Sequence, residues 1–311
     1  MSLVYPILPR AGLGNMLLIW ARAAVFSHLN NFPMIAPNWA KLRLGPYLRG
    51  ERDKRNYQSF FRTGSYIPKW YCLPEFLYLK SNSVFNPIPE LLETDQAQKN
   101  ILYVFEGVPV WETCFMEIFR YQPVVKQQLV DMLSLSIQRE FQAQQAPVIG
   151  VHIRMGDFKV QEPSTELTKE SVHSRTPLKW FIEQIKFIRE IANYNLPVTV
   201  FSDGHDAELT EILSLPNISR ASKNSSIVDI LTLSKSKLLI TSSRSTFSAW
   251  AAYLSSNSTI WHPAHLMEHF GRFSEYKKLE KATYEGCIDR NNLPKEAINV
   301  IQHIARDYLS R

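Results

Sequence analysis

Three polar residues of different chemical kinds lie within or directly after one short apolar stretch of this 311-residue chain. The stretch from Val148 to Ile153 is bounded by turn residues, which is typical of a buried strand in a parallel sheet. His152, Arg154 and Asp157 are the polar residues. Ligands bind beyond the carboxyl ends of strands in open α/β sheets, where an arginine can hold an anion and a carboxylate can accept a proton. The alternative is that Arg154 and Asp157 only pair with each other to close a turn.

Polar residues also follow two later predicted strands. Ser202 and Asp203 come directly after the predicted strand Val198–Phe201, and a hydroxyl-rich turn follows the predicted strand Leu238–Thr241. The candidate residues of that turn are Ser243, Arg244, Ser245 and Thr246. Hydroxyls and helix N–H groups converge where a strand turns into a helix, so they can balance the charge of a diphosphate together with an arginine. This chemistry requires no metal ion.

A glycine-containing turn near the N-terminus indicates a further phosphate-facing loop. Leu3–Leu8 is predicted as a strand, Pro9–Asn15 as a turn and Met16–Leu29 as a helix, the order that opens a mononucleotide-binding unit. Glycines there permit close approach of the backbone, and the helix N-terminus offers N–H groups to phosphate. The candidate residues are Gly12, Gly14 and Asn15. A tight turn with no ligand is the competing interpretation.

Three sequence blocks resemble the α-1,2-fucosyltransferase family, which shares a superfamily with the α-1,6- and protein O-fucosyltransferases. They are Gly12-Leu13-Gly14-Asn15, His152-x-Arg154-x-Gly156-Asp157 and Ser245-Thr246-Phe247-Ser248-Ala249-Trp250-Ala251-Ala252-Tyr253-Leu254. The blocks stand in the family's order and span residues 12–254. The resemblance implies an α/β, GT-B-like fold of two Rossmann-like domains with parallel sheets. It also implies an inverting, metal-independent enzyme that moves fucose from GDP-fucose to a glycan hydroxyl, with α-1,2 as the expected linkage. The alternatives are a related GT-B glycosyltransferase with another donor or linkage and a non-catalytic protein that binds a nucleotide or carbohydrate.

The resemblance assigns roles to individual residues. Arg154 is expected to hold the diphosphate. Asp229 occupies the position at which α-1,6-fucosyltransferases accept guanine N1–H and N2–H, with His152 nearby. The general base is expected to be Asp157, inside the signature, or Glu162, at the same distance from the signature as the catalytic carboxylate of the α-1,6-enzymes. A place at a helix start for Asp229 and a turn-stabilising role for Asp157 are the alternatives.

The chain departs from the family pattern at two positions and lacks one common metal motif. Met16 stands where the family usually has glutamine. Arg244 stands where the family usually has an uncharged residue, and its side chain either contacts phosphate or points to solvent. No pair of aspartates has Asp-x-Asp spacing, so we expect no metal and no other cofactor. The Asp203-Gly204-His205-Asp206 run is more typical of hydrogen-bonding caps than of a metal site.

Strands alternate with helices at regular spacing in the second half of the chain, which predicts a parallel sheet. We therefore expect an N-terminal Rossmann-like domain on the acceptor side at residues 1–146 and a GDP-sugar-binding Rossmann-like domain at residues 147–290. Residues 291–311 are predicted as a C-terminal helix that packs back on the first domain. Residues 37–95 lack periodicity, and their aromatic residues either stack on acceptor sugars or belong to the core. These are Trp39, Tyr47, Trp70 and Tyr71.

Composition limits the class of protein. The chain is 45% hydrophobic and 21% charged, as in soluble globular proteins. Three widely spaced cysteines, Cys72, Cys114 and Cys287, favour a reducing compartment over a disulfide framework or a zinc site. Neither a signal peptide nor a transmembrane helix is predicted, so the chain resembles the soluble bacterial members of the family and is expected in the cytoplasm.

The net charge of +6 is concentrated partly in one segment. Its basic residues are Lys41, Arg43, Arg49, Arg52, Lys54 and Arg55. A solvated loop is the first interpretation, and a peripheral contact with a membrane that carries a lipid-linked acceptor is the second. A rim that attracts an anionic substrate is a further alternative. The excess of charge is modest, so we expect no nucleic-acid partner. The expected partners are GDP-fucose and a glycan acceptor.

Overall fold

The computed structural model describes residues 1–40, 56–62, 64, 66–92, 100–156, 158, 174–263, 283–291 and 293–310. The chain divides into two compact units, residues 1–139 and residues 140–311. The boundary expected from the sequence, between residues 146 and 147, lies slightly further along the chain.

The first unit is built on a small parallel sheet. Its elements are β1 (Leu3–Pro6), α1 (Leu13–Asn30), α2 (Leu73–Leu79), β2 (Ser83–Phe85), β3 (Leu102–Phe105), α3 (Gln122–Asp131) and α4 (Leu135–Gln142), the last of which continues into the second unit. The strand order is β1-β3-β2, with Leu3 opposite Leu102. Helix α1 is apolar on all sides and is buried from Leu13 to Phe26 except at Asn15, as expected of a helix inside a core. It ends at Asn31 in the left-handed conformation that commonly terminates helices.

The sequence favours helices at residues 115–128 and 130–141, broken near Pro123, whereas in the structure Pro123 begins a helix. It lies in the first turn of α3, where its missing N–H would have no intrahelical partner in any case. A short 3-10 turn, Phe119–Tyr121, precedes α3 in place of the helix predicted from residue 115. The prediction of one interrupted helical region was therefore wrong in its boundaries, because the proline acts as a start signal.

The second unit has a doubly wound parallel sheet. Its elements are β4 (Ile149–Ile153), α5 (Leu178–Ala192), β5 (Val198–Ser202), α6 (Thr210–Leu213), β6 (Ile218–Arg220), α7 (Ser226–Leu233), β7 (Leu238–Ile240), α8 (Thr246–Leu254), β8 (Ser258–Ile260), β9 (Glu285–Gly286) and α9 (Lys295–Leu309). The strand order is β6-β5-β4-β7-β8-β9, and all neighbouring pairs are parallel. This is the strand order of a dinucleotide-binding sheet. Successive strands are added on one side of β4 up to β6 and on its other side from β7 onwards, so the strand order reverses between β4 and β7. The predicted α/β fold with parallel sheets is confirmed.

The C-terminal helix α9 belongs to the core of the second unit. Its apolar residues recur every three or four positions, and Val300, Ile301 and Ile304 are buried together with Ile185 and Ile188 of α5. The apolar stripe of α9 therefore covers the apolar side of α5. That this helix also packs back on the first domain stays a prediction. Among the described helices, none combines the length and hydrophobicity that a membrane span requires.

Candidate functional site

The carboxyl ends of β4 and β7 meet at the point where the strand order reverses. The two strands are in register from Ile149 opposite Leu238 to Val151 opposite Ile240. His152 is the penultimate residue of β4 and is buried, and Arg154 follows the strand directly. A crevice outside the carboxyl ends at such a switch point is the usual ligand site of doubly wound folds. The structure therefore brings the sequence signature to the expected edge of the sheet.

Ser242 joins the ends of these two strands. Its hydroxyl donates to the carbonyl oxygen of His152 at 2.8 Å, and its oxygen accepts the backbone N–H of Arg154 at 2.8 Å. Strand β7 ends at Ile240, so its backbone hydrogen bonds to β4 end there, and the side chain of Ser242 links the two chain segments beyond that point. The exit path of the chain before Arg154 is thereby fixed.

Asp203, at the end of the neighbouring strand β5, holds Arg154. One of its carboxylate oxygens accepts from the guanidinium of Arg154, and the other accepts the backbone N–H of Met155 at 2.7 Å. A side chain at Gly156, which has a φ of +24°, would collide with the carboxylate of Asp203. The glycine of the signature is therefore required by this ion pair. Arg154 also lies 5.4 Å from the ring centre of Phe158.

The turn after β5 is held by caps and ion pairs. Ser202 Oγ accepts the N–H of Gly204 at 3.1 Å. Arg220 donates to the carbonyl oxygen of Gly204 at 2.6 Å and pairs with Asp206. The backbone N–H of His205 donates to Glu208 at 2.8 Å. This is the capping role that the sequence favoured, and the described residues contain no group of three or more His, Cys, Asp or Glu side chains arranged to hold a metal ion.

Arg175 ties Glu208 to the residues that follow the signature. It donates to Glu208 at 2.7 Å and to the carbonyl oxygen of Phe158 at 3.0 Å. The hydrogen bond from the N–H of His205, followed by the contact with Arg175, lowers the pKa of Glu208. Phe158 and Arg175 stand on either side of residues 159–173, so these bonds anchor both flanks of that segment.

The turn from β7 into α8 has the predicted helix-start geometry. Ser245 is the N-cap, and its hydroxyl oxygen accepts the N–H of Ser248 at 3.4 Å, while Thr246 is the first helical residue. The N–H of Ser243 donates to the hydroxyl of Thr176 at 2.8 Å. Arg244 adopts a left-handed conformation with a φ of 48°, which is uncommon for a residue with a side chain. The hydroxyls of this turn are thus brought to the same sheet edge as Arg154.

Asp229 lies in the first turn of α7 and is half-buried. Asn224 donates to its carboxylate at 3.2 Å and to Gln144 at 3.1 Å. The N-cap residue is Ser225, whose N–H and hydroxyl both donate to Glu140, at 2.5 and 2.7 Å. Asp229 is therefore a first-turn residue and not the cap. Because α7 follows β6 in a parallel sheet, its first turn stands at the carboxyl edge.

The predicted phosphate-facing loop of the first unit begins α1. Gly12 is the N-cap, and the first helical N–H, that of Leu13, donates to the hydroxyl of Tyr57 at 3.1 Å. The side-chain oxygen of Asn15 is buried and has no hydrogen-bond partner among the described residues, which is unusual for a native polar atom. Gly14 is buried within the helix, and Met16 is fully buried. The first turn of α1 thus contains a buried acceptor, Oδ1 of Asn15, whose hydrogen-bonding capacity is not used within the described residues.

Several predicted residues take other places or lie outside the described residues. Trp39 is core, since it is 1% exposed and packs 4.2 Å from the ring of Phe61, whereas Trp70 and Tyr71 are 77% and 72% exposed. The core interpretation therefore holds for Trp39, whereas stacking on acceptor sugars stays a prediction for Trp70 and Tyr71. The remaining members fall outside the described residues: Asp157, Glu162, Tyr47 and the basic segment at residues 41–55.

Sequence reasoning missed two groups in the second unit. Ser248 is fully buried with its Oγ 2.7 Å from Nδ1 of His152, although it stands in the third sequence block. His262 follows β8, and its ring lies 4.7 Å from that of Trp180. Burial lowers the pKa of His262 from 6.5 to about 4. The position of Ser248 within the block was an available signal, whereas His262 had none.

A cavity of about 590 Å³ lies in the first unit, at the C-terminal end of α1. It is lined by Ala24, Ser27, His28, Asn31, Phe32, Pro33, Met34, Tyr66, Gln128 and Asp131. Burial raises the pKa of Tyr66 to about 12, and the tyrosine hydroxyl accepts from the indole of Trp20 at 2.8 Å. None of the predicted donor-binding residues lines this cavity.

A doubly wound parallel sheet with an arginine and hydroxyls at its switch point is typical of nucleotide-binding units, including those of GT-B-like glycosyltransferases. Residues 98–279 match the model of Glycosyl transferase family 11. The chain belongs to this family. The predicted enzyme class, a fucosyltransferase among the glycosyltransferases, is confirmed at the level of the family.

Solved fucosyltransferase structures have similar folds. POFUT1 in complex with GDP-fucose has a TM-score of 0.51 and 11% identity, with 84% of this chain and 97% of that chain covered. The fucosyltransferase NodZ from Bradyrhizobium has a TM-score of 0.46 and 16% identity, with 85% and 97% covered. NodZ α-1,6-fucosyltransferase soaked with GDP-fucose has a TM-score of 0.43 and 15% identity, with 82% and 92% covered. No curated protein matches the chain. At such identities the likeness to POFUT1 shows the fold alone.

Proposed function

We propose that this enzyme transfers fucose from GDP-fucose to a glycan hydroxyl, with inversion at the sugar carbon, without a metal ion and with α-1,2 linkage. The observation that carries the proposal is the convergence of Arg154, His152 and the hydroxyl-rich start of α8 at the switch point of the sheet. POFUT1 was crystallised with GDP-fucose, and the shared fold supports the same donor here.

Charge balance at the diphosphate explains how the enzyme works without a metal. The guanidinium of Arg154 remains charged and can fork onto phosphate oxygens. An arginine carries five N–H donors, so its ion pair with Asp203 is compatible with a phosphate contact. Ser245, Thr246 and the backbone N–H groups in the first turn of α8 add hydrogen bonds and the positive end of the helix dipole. Together these groups stabilise the negative charge that develops on the leaving GDP.

The transfer itself moves one electron pair and one proton. The acceptor oxygen bonds to the sugar carbon on the face opposite GDP while the bond from that carbon to the β-phosphate oxygen breaks. The electron pair of the broken bond leaves with GDP, and the acceptor's proton passes to a carboxylate acting as general base. We propose Asp157 or Glu162 for this role, although both lie outside the described residues.

Recognition of the base is assigned to Asp229. Guanine presents N1–H and N2–H side by side, and a carboxylate can accept both. Asp229 supports this role by its place at the carboxyl edge and by the side chain of Asn224, which fixes one of its oxygens. Gly12, Gly14 and Asn15 are proposed as further donor contacts. The acceptor is proposed to be lipid-linked, with the enzyme in the cytoplasm and peripheral at the membrane.

The experiment is a transfer assay with GDP-fucose and a panel of glycan acceptors, with product linkage and anomeric configuration determined by NMR. We expect an α-1,2-linked product, formed at nearly the same rate with and without EDTA. Slow hydrolysis of GDP-fucose in the absence of acceptor would distinguish the enzyme from a protein that only binds the nucleotide. Loss of transfer on chelation with recovery on adding Mn²⁺ or Mg²⁺ would contradict the metal-independent mechanism, and an intact donor throughout would contradict the function.

A further inference from the structure

A buried hydrogen bond links the signature strand to helix α8. Nδ1 of His152 lies 2.7 Å from Oγ of Ser248. His152 is 4% exposed and Ser248 is fully buried, so water does not compete for this bond. Phe247 stacks on the imidazole with ring centres 4.6 Å apart and an interplanar angle of 19°. The ring plane is therefore held from one side by the phenyl ring and along one edge by the serine.

The direction of this bond follows from the second hydrogen bond of Ser248. Its Oγ accepts the backbone N–H of Ser242 at 3.1 Å. A hydroxyl has one hydrogen to donate, and a buried donor without an acceptor is destabilising because it loses its hydrogen bond to water without replacing it. If Nδ1–H donated to Ser248, both bonds would be received by the oxygen, and its hydrogen would have no acceptor among the described residues. If the hydroxyl donates to Nδ1, all three groups are satisfied.

The neutral imidazole carries one proton, so a hydrogen bond received at Nδ1 places that proton on Nε2. Ser242 reinforces the arrangement, since its hydroxyl donates to the carbonyl oxygen of His152 at 2.8 Å. The backbone and the side chain of the histidine are thus both fixed by serines from the β7–α8 segment. This polar arrangement consists of a set of donors matched to acceptors, which favours one geometry.

We propose that Ser248 is a positioning residue that holds His152 as the Nε2–H tautomer, making His152 a hydrogen-bond donor to the nucleotide. The acceptor for this Nε2–H rests on the proposed function, in which the nucleotide is GDP. Guanine presents acceptors at O6 and N7, whereas adenine carries an amino group in place of O6. A donor at His152 and an acceptor at Asp229 together match the guanine edge and mismatch the adenine edge.

The first test reads the tautomer directly in the nucleotide-free protein. Long-range ¹H–¹⁵N NMR at pH 8 distinguishes protonated from unprotonated ring nitrogens, and the His152 signals are assigned by their loss in His152→Gln. We expect Nδ1 unprotonated and Nε2 protonated in the wild type, and a changed tautomer ratio in Ser248→Ala. The matched control is Ser236→Ala, because Ser236 is also fully buried and its hydroxyl has no hydrogen-bond partner among the described residues. A wild-type His152 protonated at Nδ1 would overturn the proposal whatever the enzyme's substrate.

The second test asks whether Ser248 acts through His152. Calorimetry with GDP should show about a 2- to 10-fold weaker Kd for Ser248→Ala, the effect of one ordinary hydrogen bond. The same serine change in a His152→Gln background should have little further effect, because residues that act as a unit are not additive. Additive losses would assign Ser248 a purely structural role and overturn the proposal. If the wild type bound no GDP, the proposed function would fail, while the NMR measurement would still decide the tautomer.

Discussion

The two units of this chain both contain parallel sheets, but they distribute polar and apolar groups in opposite ways. The second unit buries polar side chains at its sheet edge, among them His152, Ser242 and Ser248, and satisfies them with one another. The first unit exposes large apolar side chains between residues 70 and 91, with Trp70 at 77% and Leu91 at 67% exposure. The contrast indicates that the sheet edge of the second unit and the exposed face of the first unit have different roles.

Buried polar groups are expensive unless they are fully paired, and once paired they hold one geometry. A sheet edge with one fixed geometry suits a ligand that is the same in every reaction, such as a nucleotide. Exposed apolar groups in a patch indicate a surface that meets another molecule, and they leave its exact shape open. The difference supports the proposal that the nucleotide is recognised by the regular, buried edge of the second unit. It also supports the proposal that the acceptor side lies in the less regular first unit.

The largest expected effect concerns the one arginine that follows β4. Arg154→Ala should lower kcat by about 10²–10³, because removing one preorganised group that stabilises developing charge has this cost. Steady-state kinetics with GDP-fucose and circular dichroism check the rate and the fold together. Arg290→Ala is the control, since Arg290 is exposed in the same unit and contacts Glu190 and the ring of Phe187 at the surface. A folded Arg154→Ala enzyme with more than about a tenth of wild-type turnover would break the assignment.

Base recognition by Asp229 is expected to have the next largest effect. Asp229→Asn replaces one acceptor oxygen with an NH₂ group that opposes the guanine donors. It should weaken GDP binding by about 1.5–3 kcal/mol, the contribution of a hydrogen bond to a charged group, and ADP binding much less. Calorimetry with both nucleotides measures the difference. Asp289→Asn, at an exposed position of the same unit, is the control. Equal losses for GDP and ADP would show that Asp229 supports the fold instead of reading the base.

The regular unit was also the more predictable one. The sequence predicts a helix at residues 246–254, and α8 has these bounds, because the N-cap Ser245 and the apolar run give strong local signals. The strands β2, β6, β8 and β9 were missed. They have only two or three residues each, so their conformation depends on pairing with neighbours and leaves little pattern in the sequence.

Within the candidate site, the sequence could predict which residues reach the sheet edge but not which of them bond to each other. His152 and Ser248 are 96 positions apart, and Arg154 and Asp203 are 49 apart. Such pairs are created by strand order, which no local pattern contains. The packing of α9 on α5 could not be predicted for the same reason, since an apolar stripe predicts a buried face but does not identify what covers it.

The smallest expected effect sharpens the comparison through pH. His262 has a folded-state pKa of about 4 against an ordinary 6.5 because it is buried. Well above pH 6.5 the residue is neutral in both the folded and the unfolded state, so its burial does not make the free energy of unfolding depend on pH. As the pH falls from 6.5 towards 4, the unfolded chain binds a proton that the folded chain does not, so the free energy of unfolding falls. At pH 5 the loss should be about 1–2 kcal/mol.

Urea unfolding at pH 7.5 and pH 5 measures this loss in the wild type and in His262→Phe, which keeps an aromatic ring against Trp180. The variant should lose less stability between the two pH values, since other titrating groups contribute equally to both proteins. His28→Gln is the matched control from the first unit, where His28 is exposed at the cavity rim, and it should keep the wild-type loss. If His262→Phe lost as much stability as the wild type, the acid sensitivity would have to come from other groups, and the buried polar edge of the second unit would not be its source.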